Sequence, residues 1–219
     1  MTDTVGYEEA GHDLLEMRHR VVGAWAVNAY ALVCPRSGQS VLIDPGSEPE
    51  ILAAMLAGTQ PVAILITHSH PDHIGALAAM RSRLSVPVLA HPGSREEPSG
   101  VNADRPIQDG DRLTVGEHRL LFYHAPGHTA DQVCIQPEND HRIFVGDTIF
   151  EGGPGKTWSH QDFQRTLQTL KEIILAWPDE TVCHPGHGPS FQLGARREAI
   201  QAFIAREHGE FFGDAVWNA

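Results

Sequence analysis

Hydrophobic and polar residues change their period several times along this chain, and each change marks an element. Leu14 to Val22 and Ala24 to Val33 read as two strands, and the Pro35-Arg-Ser-Gly38 cluster turns the chain. Ser40 to Ile43 is a short strand closing on Asp44-Pro45-Gly46. Ile51, Leu52, Met55 and Leu56 then fall on one face of a helix from about Pro49 to Ala57. The run Val62-Ala-Ile-Leu-Ile66 shows no alternation, which is the mark of a strand buried on both faces. Beyond a polar loop, Ile74, Leu77, Ala78 and Met80 predict a helix reaching Arg83, and Val86 to Ala90 predicts another buried strand. From His91-Pro92 to about Gly110 no period is visible. Such a stretch is either a lid or binding loop, or a solvated connection.

Strands resume at Arg112 to Val115, Arg119 to His124, Gln132 to Gln136 and Arg142 to Val145. A helix from Ser159 to Ala176 carries Phe163, Leu167, Leu170 and Ile174 on one stripe, with Ser159 as its N-cap. Thr181 to Cys183 reads as a last short strand and Gly194 to Arg206 as a last helix. No repeat or linker interrupts the pattern, so periodicity alone gives mixed α and β in one domain.

Composition narrows the function. The formal net charge of −12 argues against a nucleic-acid surface, which needs a basic patch. No apolar run approaches the length of a membrane span, and Met1 to Glu9 has neither the basic nor the apolar region of a signal peptide. Cys34, Cys134 and Cys183 form no C-x-x-C pair and read as reduced core residues of a cytoplasmic protein.

Histidine changes the picture most. Thr67-His68-Ser69-His70-Pro71-Asp72-His73-Ile74-Gly75 lies between the buried strand and a helix, with Pro71 expected to keep the loop irregular. His68 and His70 can aim at one point, and Asp72 and His73 at a second beside it. Borderline divalent metals take such nitrogen and oxygen ligands. Three further strand ends carry candidates next to glycine: His128 in Ala125-Pro-Gly-His-Thr, Asp147 in Phe144-Val-Gly-Asp-Thr, and His187 in Cys183-His-Pro-Gly-His-Gly. His184 is read as structural or outside the ligand set, His91 and His124 as ordinary polar residues near the site. Histidines 12, 19, 118, 141, 160 and 208 are read as surface.

The nine-residue stretch resembles the HxHxDH motif of the metallo-β-lactamase superfamily, and nearly the whole chain can be laid on that family's order of elements. The resemblance implies an αββα sandwich in one domain over 1–219. It implies that His68, His70 and His128 bind one divalent ion, that Asp72, His73 and His187 bind a second, and that Asp147 bridges them. Asp72 would also orient the attacking water. Two such ions, with zinc first and iron or manganese also accepted by this ligand set, polarise a carbonyl and bring the pKa of water from 15.7 toward about 7. A metal-binding protein without catalysis ranks last.

The segment Thr148-Ile-Phe-Glu-Gly-Gly-Pro-Gly-Lys156-Thr-Trp158 resembles the glyoxalase II-like branch, whose basic residue holds the glutathione part of a thioester. Lys156 matches that residue, and Trp158 stands where that branch often has tyrosine. Glyoxalase II enzymes carry a further helical domain, whereas one helix and a short tail follow His187 here. The resemblance implies a thioester or activated-ester hydrolase acting on a small molecule, without nucleic acid or membrane. Alternatives are a lactonase or other hydrolase of this fold, and a persulfide dioxygenase-like oxidoreductase with one iron. Members of that last branch carry G-C-G-R-T-D after the bridging aspartate, which Pro154-Gly-Lys-Thr-Trp158 does not match.

Overall fold

The computed structural model describes residues 14–95 and 99–218. Its first sheet contains β1 (Glu16–Val22), β2 (Val27–Val33), β3 (Gln39–Ile43), β4 (Gln60–Leu65), β5 (Val88–Ala90) and β6 (Arg105–Pro106), side by side in that order. β1, β2 and β3 are antiparallel, and β3 to β6 are parallel. The second sheet contains β7 (Arg112–Val115), β8 (His118–His124), β9 (Val133–Pro137), β10 (Arg142–Gly146), β11 (Val182–Pro185) and β12 (Phe191–Gln192), also adjacent in order. Only β10 and β11 pair in parallel there.

Strand alternation builds three cores. Tyr30, Leu32, Val41, Ile43, Ala63 and Leu65 face the second sheet and meet Val115, Leu120, Phe122, Ile135 and Phe144. The residues between them, Ala29, Ala31, Leu42, Ile64 and Ile66, face outward onto α1 (Pro49–Met55) and α3 (Leu77–Leu84) through Leu52, Met55 and Met80. The outer face of the second sheet carries Cys134, Ile143 and Val145 against α4 (His160–Glu172) and α5 (Arg197–Ala205), through Phe163, Leu170, Ile200 and Phe203. The layers are therefore helix, sheet, sheet, helix, as the resemblance implied. Because both faces of the first sheet are covered at its middle, β2 and β3 are buried along nearly their whole length.

Several boundaries differ from the sequence reading. The first two strands start two and three residues later than expected, and the strand before the histidine loop ends at Leu65 rather than Ile66. Pro71 does not break the loop but opens one helical turn, α2 (Pro71–Ile74), because proline at the first helical position has no N–H to lose. The expected helix from Ile74 to Arg83 is split, since the Ala76 N–H is taken by the Pro45 carbonyl at 2.9 Å. Ser159 does cap α4: its Oγ accepts the Asp162 N–H at 3.1 Å and donates to the Asp162 carboxylate at 2.6 Å. That helix ends at Glu172, with Ile174–Ala176 wound more tightly as a 3-10 turn. The segment after His91 contains a 3-10 turn at Pro92–Arg95 and the two-residue β6. No helix among the described residues is long and apolar enough to cross a membrane.

Candidate metal centre

The predicted residues converge on one edge shared by the two sheets. β4 delivers His68 and His70, α2 delivers Asp72 and His73, and the loop after β8 delivers His128. Asp147 follows β10 and His187 follows β11. Backbone bonds lock these ends together: the Val133 N–H donates to the Thr67 carbonyl at 2.8 Å, and the Asn28 N–H to the Gly186 carbonyl at 2.7 Å. The Asn28 amide also donates to the Pro185 and Gly188 carbonyls, and the Tyr30 hydroxyl to Pro185. β2 therefore holds the loop that carries His187.

Two ligand sets result. In the first, His70 Nδ1 lies 3.2 Å from His68 Nε2 and 2.9 Å from His128 Nε2. In the second, His187 Nε2 lies 3.3 Å from His73 Nε2 and 3.2 Å from an Asp72 oxygen. The Asp147 carboxylate stands between the sets: one oxygen is 3.4 Å from His73 Nε2, the other 3.6 Å from His128 Nε2 and 3.5 Å from His187 Nε2. His68, His73 and Asp147 also lie close enough together to share an ion.

The outer ring nitrogens fix which nitrogen points inward. His73 Nδ1 donates to Asp44 Oδ2 at 2.9 Å, His128 Nδ1 to the Lys156 carbonyl at 2.8 Å, and His187 Nδ1 to the Trp25 carbonyl at 2.9 Å. With Nδ1–H committed outward, each neutral ring turns its Nε2 lone pair to the centre. Lone pairs facing one another at about 3 Å repel unless a proton or a metal cation lies among them. Asp147 Oδ1 is buried with no hydrogen-bond partner, which in a dry site is costly unless a cation takes it. The donor set thus fits two adjacent divalent ions: nitrogen-rich on one side, mixed nitrogen and oxygen on the other.

Asp44 was not expected to matter beyond ending a strand. It is buried at 2% exposure in a left-handed backbone conformation, φ 51°. Its Oδ1 accepts the Thr67 N–H at 2.8 Å, and its Oδ2 accepts the Thr67 hydroxyl at 2.6 Å as well as His73. The Thr67 hydroxyl in turn lies 3.1 Å from His68 Nδ1. One carboxylate therefore orients a histidine of each ligand set. The sequence signal was an acidic residue in a Pro-Gly turn at a strand end, which is common to many turns.

Charge in the metal-free site follows from these partners. Burial disfavours the charged form of His73, but Asp147 and Asp44 outweigh it and raise its pKa to about 10. Burial would raise the Asp72 carboxyl, yet the hydrogen bond from His187 and the nearby His73 bring it down to about 2. His68 and His128, buried among other imidazoles, are held below the ordinary range. Two glycines allow the close approach. A Cβ on Gly155 would collide with the Asp147 carbonyl, and one on Gly186 with the Asp147 carboxylate and the His73 ring.

The remaining histidines sort differently. His184 is buried, bonded through Nδ1 to Ser190 Oγ at 2.7 Å and stacked on Phe144, outside both ligand sets. His91 and His124 stack on each other with centroids 4.0 Å apart. Of those read as surface, His141 is exposed, whereas His19, His118, His160 and His208 are half-buried. His19 stacks on Tyr30 and His208 packs on Phe163 and Phe203, so aromatic neighbours cover part of each ring. His12 lies outside the described residues. The three cysteines are free and buried.

A cleft of about 470 Å³ opens beside the first ligand set, lined by Ser69, His70, His128, Thr129, Trp158 and Asp162 among others. Trp158 is 58% exposed and meets His70 edge-on at 6.2 Å. The Lys156 ammonium lies 5.0 Å over the Trp158 ring and 3.2 Å from an Asp214 oxygen, at the rim and not in the wall.

Comparison with known proteins agrees with this geometry. Residues 22–187 match the family model described as the metallo-beta-lactamase superfamily. A hydroxyacylglutathione hydrolase of Polaromonas sp. is 33% identical over 171 residues, which cover 74% of this chain and 64% of that relative. A solved structure described as TTHA1623 in a di-iron-bound form superposes with a TM-score of 0.70 at 33% identity, covering 82% of this chain and 96% of that one. A solved structure described as the BLEG-1 B3 metallo-beta-lactamase gives a TM-score of 0.76 at 29% identity, with coverages of 84% and 97%. The order of elements, the paired ligand sets and the span of the match agree: this chain, which spans just under two thirds of the Polaromonas relative, belongs to the metallo-β-lactamase superfamily and carries His/Asp clusters able to hold metal ions.

Proposed function

We propose that the chain hydrolyses thioesters or activated esters of a small molecule at a binuclear centre, with zinc the leading metal and iron or manganese accepted by the same ligands. The observation that carries the reading is the Asp147 carboxylate, placed between two ligand sets: its Oδ2 lies near His128 of the first set and His187 of the second, and its Oδ1 near His73 of the second. His68, His70 and His128 would hold one ion, Asp72, His73 and His187 the other, and Asp147 both. Bound there, two divalent ions supply Lewis-acid polarisation of a carbonyl and a water acidified to near neutrality.

The chain's own residues supply the rest. Asp72, ionised at neutral pH, is the carboxylate at hand to accept a proton of the attacking water and orient it. Trp158 gives the cleft an apolar wall against which the acyl group or thiol carrier lies. Thr129 and Asp162 give the same lining polar groups. Among the described residues, the cleft lining holds no lysine, tyrosine or non-ligand histidine to protonate a departing amine. A thiolate, whose conjugate acid has a pKa of about 8.5, leaves without that help. The name of the Polaromonas relative points the same way, while that of the BLEG-1 neighbour keeps a lactam among the substrates to be tried.

The test is a panel of thioesters, esters, lactones and a lactam, assayed with metal-loaded protein. Thioesters are expected to give the highest kcat/KM. A lactam or lactone cleaved faster than every thioester overturns the substrate class. Oxygen uptake on glutathione persulfide in place of hydrolysis overturns the reaction.

A further inference from the structure

Lys156 follows a glycine-rich stretch in the sequence, and the fold gives it a partner 58 positions later. Asp214 Oδ2 stands 3.2 Å from the Lys156 ammonium. Both backbones are fixed. The Lys156 carbonyl accepts the His128 Nδ1–H at 2.8 Å, so this residue is tied to the ligand set itself. The Thr157 N–H donates to the Gly213 carbonyl, and the Gly213 N–H returns to Thr157 Oγ1, both at 3.1 Å. Trp217, buried at 3% exposure, anchors the other side of Asp214: its N–H donates to the Gly152 carbonyl and its indole N–H to the Glu151 carbonyl, each at 3.0 Å. Asp214 is thus held between two docked points, and its carboxylate does not have to be recruited from a free tail.

Resting on the thioesterase reading, we propose that Asp214 sets the charge preference of the cleft: by occupying the Lys156 ammonium it selects thioesters whose thiol carrier is uncharged at that end and disfavours anionic carriers. A free ammonium beside an aromatic wall is a carboxylate site. An ammonium already paired offers an incoming carboxylate only an exchange of one partner for another, with no net ion pair gained. The net charge of −12 adds repulsion of the same sign. What the rim offers instead is the exposed ring of Trp158, which takes an apolar chain whatever the charge beyond it.

The experiment uses metal-loaded wild type, Asp214→Asn and Asp214→Asn/Lys156→Ala. Affinity is measured for two thioethers that cannot be hydrolysed: S-hexylglutathione, which is anionic, and S-hexyl-N-acetylcysteamine, which is neutral. One unit charge removed at about 4 Å in bulk water corresponds to about a five-fold change. Asp214→Asn is expected to tighten S-hexylglutathione about five-fold and to lower KM for an S-acylglutathione by a similar factor with kcat unchanged. The neutral ligand is expected to stay within two-fold, and adding Lys156→Ala to abolish the gain. Unchanged affinity for S-hexylglutathione in Asp214→Asn, or equal tightening of both ligands, overturns the proposal. Failure of the underlying hydrolase reading appears elsewhere, as absent thioester turnover in the wild type. The five-fold affinity shift found alongside that absence upholds the charge role of Asp214 alone.

Discussion

Replacing Asp44 by asparagine probes how far the metal centre depends on a residue that touches no ion. Asparagine tolerates the left-handed backbone that Asp44 adopts, so the substitution changes the acceptor and spares the turn. Asp44 accepts three hydrogen bonds: Thr67 N–H on one oxygen, and Thr67 hydroxyl and His73 Nδ1 on the other. An amide keeps one acceptor oxygen. In its better orientation it still faces Thr67 N–H with an NH2 group and offers His73 a neutral acceptor. Each hydrogen bond to a charged group is worth about 1.5–3 kcal/mol, and the loss leaves a buried donor unpaired. Changing a partner of this kind typically lowers metal affinity 10–100-fold, which is about 1.4–2.8 kcal/mol. The two ranges overlap, so the expected effect is a 10–100-fold weaker apparent Kd for zinc, measured by chelator competition. Because His73 belongs to the second set, that set should empty first, with stoichiometry passing from two ions to one as free metal is lowered. An affinity within three-fold of wild type, in a variant with a native circular dichroism spectrum, would refute the assignment of Asp44 as the orienting carboxylate.

Three further outcomes follow from the same geometry. Asp147→Ala should lose metal and turnover together, since it removes the carboxylate standing between the sets; full metal content with full turnover would exclude a bridging role. His184→Ala should retain both ions by elemental analysis, because its ring is engaged with Ser190 and Phe144, and loss of an ion would move it into the ligand set. Metal uptake should release a proton from His73, which Asp147 and Asp44 hold protonated up to about 10 against the cost of burial. Apparent affinity should therefore rise with pH through the neutral range, and calorimetry in buffers of different ionisation enthalpy should register the released proton. In the metal-free protein the same raised pKa stabilises the fold fully below about 6.5. That stability is lost as the pH climbs through about 10.

Sequence pattern reached some parts of this structure and not others, for physical reasons. The buried end of β4, from Ala63 to Leu65, and the amphipathic α4 announce themselves, because burial dictates residue type at those positions. The two-residue strands β6 and β12 carry too few positions for a period and went unseen. Element ends were missed where a distant backbone group decides them, as when the Pro45 carbonyl takes the Ala76 N–H. All seven predicted ligands lie together, since chemistry restricts which side chains stand at those strand ends. Their supporting partners were mostly illegible. The Trp25 carbonyl that orients His187 has no side-chain signature at all. Asp214 acquires meaning only when the fold brings it to Lys156.

In the proposed reaction two ions, held by these seven residues, are both needed for thioester hydrolysis. The direct measurement is a titration of metal-free protein with zinc, and in parallel with ferrous iron and manganese, following bound metal and thioester turnover in the same samples. Turnover is expected to rise until two ions are bound per chain and then to stay level. Full turnover at one bound ion per chain, or two bound ions with no hydrolysis of any thioester, would contradict it.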